Sequence, residues 1–161
     1  MKKKYYLISS FLLLILINGC AGYEPIFSST NLQFKIANYT IEGNKTLGNI
    51  IYSKLYNVSK SRKDNQNIKN IDLYIKVTQE KQPTSKNSAG KILEYKITLK
   101  TEVKIVDFLT DKKLLDQTLT SSTSYNTQDQ YSETISLENK AIENLVDGTY
   151  QELLIKLSQI I

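Results

Sequence analysis

The chain contains one cysteine and no histidine, and these two counts decide most of the chemistry open to it. Cys20 follows Lys2, Lys3 and Lys4 and then an uncharged run of 13 residues, Tyr5 to Ile17, interrupted only by Ser9 and Ser10. A basic start, a short apolar middle and a small residue before the break are the parts of an export signal. The run is too short to remain as a bilayer span. Gly19 directly before Cys20 is what a lipoprotein signal peptidase needs. The thiol is first alkylated by a diacylglycerol, and the cysteine then becomes the N-acylated first residue of the mature chain. Cys20 is therefore the expected lipid-attachment site. Each buried methylene contributes about 0.8 kcal/mol, so two or three chains hold a protein to a membrane almost permanently. An ordinary secretory signal with a chance cysteine is the alternative. It leaves a lone thiol with no disulfide partner in an oxidising compartment. Ala21, rather than Asp, after the cysteine is the residue choice by which Gram-negative lipoproteins are sorted to the outer membrane.

Without histidine, and with its thiol consumed by lipid, the chain has no Ser-His-Asp or Cys-His nucleophile system, and few means to build a zinc site. No glycine-rich phosphate loop and no dinucleotide fingerprint is present. No enzyme activity, no cofactor beyond the attached lipid and no metal are expected. Glu94 and Glu102 share one strand face, but lysines lie between them, and an ion-paired solvent face accounts for both. Removing the leader takes three lysines and lowers the net charge from +5 to +2. That balance gives no basis for binding nucleic acid.

The other cluster able to do chemistry is Lys81, Lys86 and Lys91, which has no acid between Glu80 and Glu94. Lysines act as hydrated point charges, suited to phosphate groups on a glycolipid and poorly suited to bidentate recognition. A solvated hairpin tip is the competing explanation.

The remaining residues must position these groups. Leu32, Phe34 and Ile36 alternate with polar neighbours and predict a strand to about Ile41. Gly43 and Asn44 make a turn, after which Leu47, Ile50, Ile51, Leu55 and Val58 predict an amphipathic helix, about Thr46 to Lys60. Ile71, Leu73, Ile75 and Val77 mark a second strand, and residues 81–90 read as a loop containing Pro83 and Gly90. A long strand follows through Leu93 to Ile105, and Thr110-Asp111-Lys112 turns into a fourth, Leu114 to about Tyr125. The last helix carries Leu137, Ala141, Leu145, Leu153 and Leu157, with Gly148 in its middle, suited to close packing on the sheet. The expected organisation is a signal peptide over 1–19, an acylated tether over 20–30 and a single α+β domain over 31–161. The domain is expected as a two-layer sandwich, order β-α-β-β-β-α, with two helices on one face of a four-stranded, mainly antiparallel sheet. The opposite sheet face, with Tyr74, Lys76, Lys96, Lys100 and Lys104, is left polar.

Gly19-Cys20 and Gly22-Tyr23-Glu24-Pro25-Ile26-Phe27 resemble the Cys-Gly-(Phe/Tyr)-x-Pro-(Leu/Ile)-(Tyr/Phe) opening of the lipopolysaccharide-assembly lipoprotein family, LptE, with Ala21 as an extra residue. Residues Ala89 to Ile97 with Val106-Asp107 are similar to that family's central hairpin and the turn after it. Ser124-Tyr125-Asn126, Tyr131 and the helix over Leu137 to Ile160 are similar to its C-terminal end. The resemblance implies a non-enzymatic outer-membrane lipoprotein seated inside, and helping to assemble, the large β-barrel LptD, with lipopolysaccharide passing through the complex. It also implies lipopolysaccharide binding through basic residues. None of those residues aligns to a single position here, so Lys81, Lys86 and Lys91 are candidates from this sequence alone. The competing reading is an envelope lipoprotein auxiliary to another lipid or solute transporter, or an inhibitor of a periplasmic enzyme.

Overall fold

The computed structural model describes residue 32, residues 34–60 and residues 68–161. Cys20 and the expected tether lie outside the described residues, which belong to one unit, Asn31–Ile161. Its elements run β1 (Phe34–Gly43), α1 (Lys45–Lys60), β2 (Lys69–Lys86), β3 (Ile92–Asp107), β4 (Lys113–Asn126) and α2 (Tyr131–Ile160). This is the expected β-α-β-β-β-α order, an α+β fold. The four strands lie side by side in sequence order. β1 and β2 are parallel, and the two later pairs are antiparallel. A parallel pair needs a crossover, and α1 supplies it.

Alternation along the strands sets the two faces. Ile71, Leu73, Ile75 and Val77 of β2 are buried on one face, with Ile97, Leu99, Val103 and Ile105 of β3 and Leu115 and Leu119 of β4 beside them. Leu47, Ile51 and Leu55 of α1 and Ala141, Leu145, Val146, Leu153 and Leu157 of α2 complete the same core. Burying each large side chain contributes about 1.5–3 kcal/mol, which is why both helices settle on this face. The 30 residues of α2 reach about 45 Å at 1.5 Å per residue, enough to run the length of β4. In β1 the register shifts between Ile36 and Asn38. The shift turns Tyr39 and Ile41, rather than Asn38 and Thr40, towards the helix layer. Tyr39 then stacks on Tyr52 of α1 with ring centroids 4.0 Å apart.

Asn44 caps α1, its side-chain oxygen accepting the Leu47 N–H at 3.2 Å. Gly43 precedes it at φ +71°, where a Cβ would lie 2.1 Å from the Val77 carbonyl oxygen. Gly48 lets the helix approach β1, because a Cβ there would meet the Ile41 side chain at 2.5 Å. Gly148 has no such reason. A Cβ added there meets nothing within 4 Å, so the close packing expected at this position is corrected to an open, solvent-facing one.

Candidate functional site

The expected loop over residues 81–90 is mostly strand. β2 continues to Lys86, paired with β3 as far as Ile92. β1 ends opposite Val77, so the rest of β2 is an edge strand, and an edge tolerates Pro83. The chain reverses only over Asn87–Lys91. There the Asn87 N–H donates to the Lys91 carbonyl at 2.9 Å, and the Gly90 N–H donates to the Asn87 carbonyl at 2.9 Å. The Asn87 side-chain oxygen accepts the Ala89 and Lys91 N–H groups at 3.0 and 2.9 Å. Gly90, at φ +81°, takes the left-handed position of this turn.

The three candidate lysines are consequently not one patch. Lys81 pairs in register with Ile97 on the helix side of the sheet. Its ammonium donates to Glu138 Oε2 of α2 at 2.6 Å and lies 4.4 Å from the centroid of the Tyr95 ring and 5.6 Å from that of Tyr125. The Tyr125 hydroxyl donates to the same carboxylate oxygen at 2.9 Å, and the two tyrosine rings stack at 5.8 Å. Burial alone would pull the Lys81 pKa down, but its bonds to Glu138 and Tyr125 carry it well above its ordinary value. This is a structural clasp joining β2, β3, β4 and α2, and because it commits the Lys81 ammonium to Glu138, Lys86 and Lys91 are the candidates carried forward for lipid contact. The sheet end explains the clasp, because α1 lies against β1 and the start of β2 and leaves this inner face to α2 alone. The amphipathic side chains of Lys81, Tyr95 and Tyr125 cover it, with polar tips towards water.

Lys86 pairs with Ile92 on the opposite sheet face. It is exposed and has no ion-pair partner among the described residues. Lys91 lies in the turn with Asp129 at 3.5 Å, both side chains well exposed, and exposed pairs of this kind hold weakly. Two cations therefore remain at the hairpin end to meet a phosphate. The sequence carries no signal that assigns Glu138 or Tyr125 to this contact. No local spacing joins them to Lys81, since the contact is made across three strands and a helix.

The helix-free sheet face is polar, as expected. Lys76 and Lys100 both reach Glu102, at 3.9 and 3.5 Å. Glu94 accepts the Thr84 hydroxyl at 2.9 Å, so Glu94 and Glu102 are engaged separately and do not converge. Beside β1 a shallow depression is lined by Asn38, Thr40, Asp72, Tyr74, Lys104 and Val106. Three of its polar side chains are engaged. Asn38 donates to Asp72 at 2.9 Å and Tyr74 donates to Glu42 at 2.7 Å, a bond that raises the Tyr74 pKa. Among the described residues no three acidic side chains gather where a cation could be held.

No protein-family model matches the chain, and no curated protein matches it by sequence. Solved structures do share its fold. An uncharacterized lipoprotein B from Nitrosomonas europaea superimposes with a TM-score of 0.57 at 15% identity, covering 76% of this chain and 81% of its own. A minor lipoprotein from Acinetobacter baumannii superimposes with a TM-score of 0.55 at 16% identity, covering 80% of this chain and 92% of its own. At these identities the likeness shows a common fold.

Proposed function

We propose that the chain is a lipid-anchored subunit of the lipopolysaccharide transport and assembly translocon of the outer membrane, a plug and assembly partner of an LptD-like β-barrel. The observation that carries this reading is a lipid-attachment sequence, Gly19-Cys20 with Tyr23 to Phe27 behind it, placed directly before a domain whose fold recurs in proteins named as lipoproteins. The polar sheet face supports the barrel part of the reading. A water-filled lumen is lined by polar groups, and the face built from Tyr74, Lys76, Lys100 and Glu102 matches such a wall without burying apolar surface. Lys86 and Lys91, at the hairpin end, are the groups offered to lipopolysaccharide phosphates.

The test is purification of the tagged, acylated protein from outer membranes in mild detergent, with its companions identified. A stoichiometric large β-barrel is the expected result. Recovery alone, or with an inner-membrane transporter, overturns the reading in favour of an auxiliary lipoprotein. Lys86→Glu with Lys91→Glu should then weaken lipopolysaccharide capture at least about tenfold at low salt, where exposed charges act most strongly.

A further inference from the structure

We propose that the β3–β4 hairpin tip, Phe108-Leu109, is the end of the domain that rests on the lipid surface. This rests on the reading of Cys20 as the acylated residue and not on the barrel partnership. All four strands and α2 meet at this end. β1 begins here, since Phe34 pairs with Lys69 at the start of β2, and Ile71 pairs with Asp107 at the end of β3. The C-terminus of α2 reaches it as well, its Ile160 carbonyl accepting the Lys69 ammonium at 3.4 Å.

The tip is built to project. The Asp107 carboxylate accepts the Leu109 and Thr110 N–H groups at 3.0 and 2.9 Å, and the Phe108 N–H donates to the Asn70 carbonyl at 3.0 Å. Phe108 is nevertheless 46% exposed and Leu109 78%, and the exposed Ile68 precedes β2 at the same end. Lys112 flanks them and can extend its charge towards headgroups while its stem lies along apolar surface, whereas Lys69 and Lys113 are held by the Ile160 carbonyl and the Asp116 carboxylate.

Chain length supplies the orientation. Leu32 is buried in the core beside β1. The 12 residues from Cys20 to Leu32 span at most about 43 Å fully extended. The 18 residues of β2 put the Asn87 turn about 59 Å from this end. If Cys20 is the acylated residue, a reach of about 43 Å is shorter than the about 59 Å length of β2, which disfavours the domain standing the other way up on its lysine hairpin.

The chain has no tryptophan, so one introduced indole reports its own surroundings. Leu109→Trp and Ser88→Trp are made in the full acylated protein and mixed with phosphatidylcholine vesicles carrying brominated lipid. Flotation is measured together with emission. The expected result is co-flotation of both variants, with a blue shift and about twofold quenching for Leu109→Trp alone, as for a side chain buried in the outer part of the acyl region. Flotation with equal or no quenching of the two overturns the tip assignment while leaving acylation in place. Failure of both to float overturns acylation and the tip assignment together.

Discussion

Lys81→Met takes away the ammonium that joins four elements and keeps most of the apolar stem. The side chains of Lys81 and Glu138 are 35% and 15% exposed, so the pair stands between a surface ion pair, about 0–1 kcal/mol, and a buried one, about 3–5 kcal/mol when broken. A value of about 1.5 kcal/mol fits that position, and loss of the cation over the Tyr95 ring adds about 0.5–1 kcal/mol. The variant should therefore unfold about 2 kcal/mol more easily, a fall of about 6–10 °C in a domain of this size. Urea titration of Lys81→Met, Glu138→Gln and the double variant gives the coupling, expected at about 1.5 kcal/mol.

The same clasp predicts a pH dependence. The Lys81 pKa stands above its ordinary value against the pull of burial, and the Tyr125 pKa is raised by burial and, against the lowering effect of Lys81, by the Glu138 carboxylate. Both groups keep their protons to higher pH in the folded chain than in the unfolded one. The native state thus binds more protons, and stability is lost as pH rises past the unfolded values of about 10. Below about pH 9 the contribution is fully present. The slope between pH 9 and 11 should flatten in Lys81→Met. A cost under about 0.5 kcal/mol, no coupling to Glu138 and an unchanged slope would refute the clasp and return Lys81 to the lipid-contact candidates.

Three further substitutions test the packing. Gly148→Ala meets open space in the middle of α2 and should stabilise the domain by about 1 kcal/mol in thermal unfolding. Gly48→Ala, equally helical, forces a Cβ to within 2.5 Å of the Ile41 side chain and should instead destabilise by about 1–3 kcal/mol. Thr101 is fully buried on the inner face of β3, and its hydroxyl has no hydrogen-bond partner among the described residues. Thr101→Val keeps the shape and removes the unpaired group, so urea denaturation should show a gain of about 1 kcal/mol.

The order of elements and the face each one buries were legible because alternation and helical spacing are local signals. Ile71 to Val77 and Leu93 to Ile105 announce strands by themselves. The extent of β2 was hidden because Pro83, Ser85 and Gly90 carry loop chemistry. What admits Pro83 to a strand is the early end of β1, a fact about a neighbouring strand that no local window contains. Gly148 misled for a related reason, since a glycine required by packing and one that merely faces solvent look alike until the neighbours are placed. The lysines do not form one patch, in part because residue parity decides the face. Lys81 and Lys86 are five apart, and the register shifts after Pro83 still leave them on opposite sides of the sheet.

The distance between the two ends bears on how such a domain could serve a lipid translocon. A bilayer with its headgroups is about 40–45 Å thick, and β2, with its 18 residues, is about 59 Å long. A domain anchored in the periplasmic leaflet and standing inside a barrel, tether end down, would carry Lys86 and Lys91 across to the level of the opposite leaflet. In that arrangement the hairpin lysines meet lipid phosphates at the exit of the pathway, far from the protein's own acyl anchor. Lying flat on the surface would instead bring both ends to one leaflet and leave the polar sheet face without a polar wall to match. Under the proposed function, the apolar Phe108-Leu109 end and the cationic Lys86 and Lys91 end, about 59 Å apart along β2, would then lie at opposite leaflets, so that one rigid sheet would be held at one and act at the other.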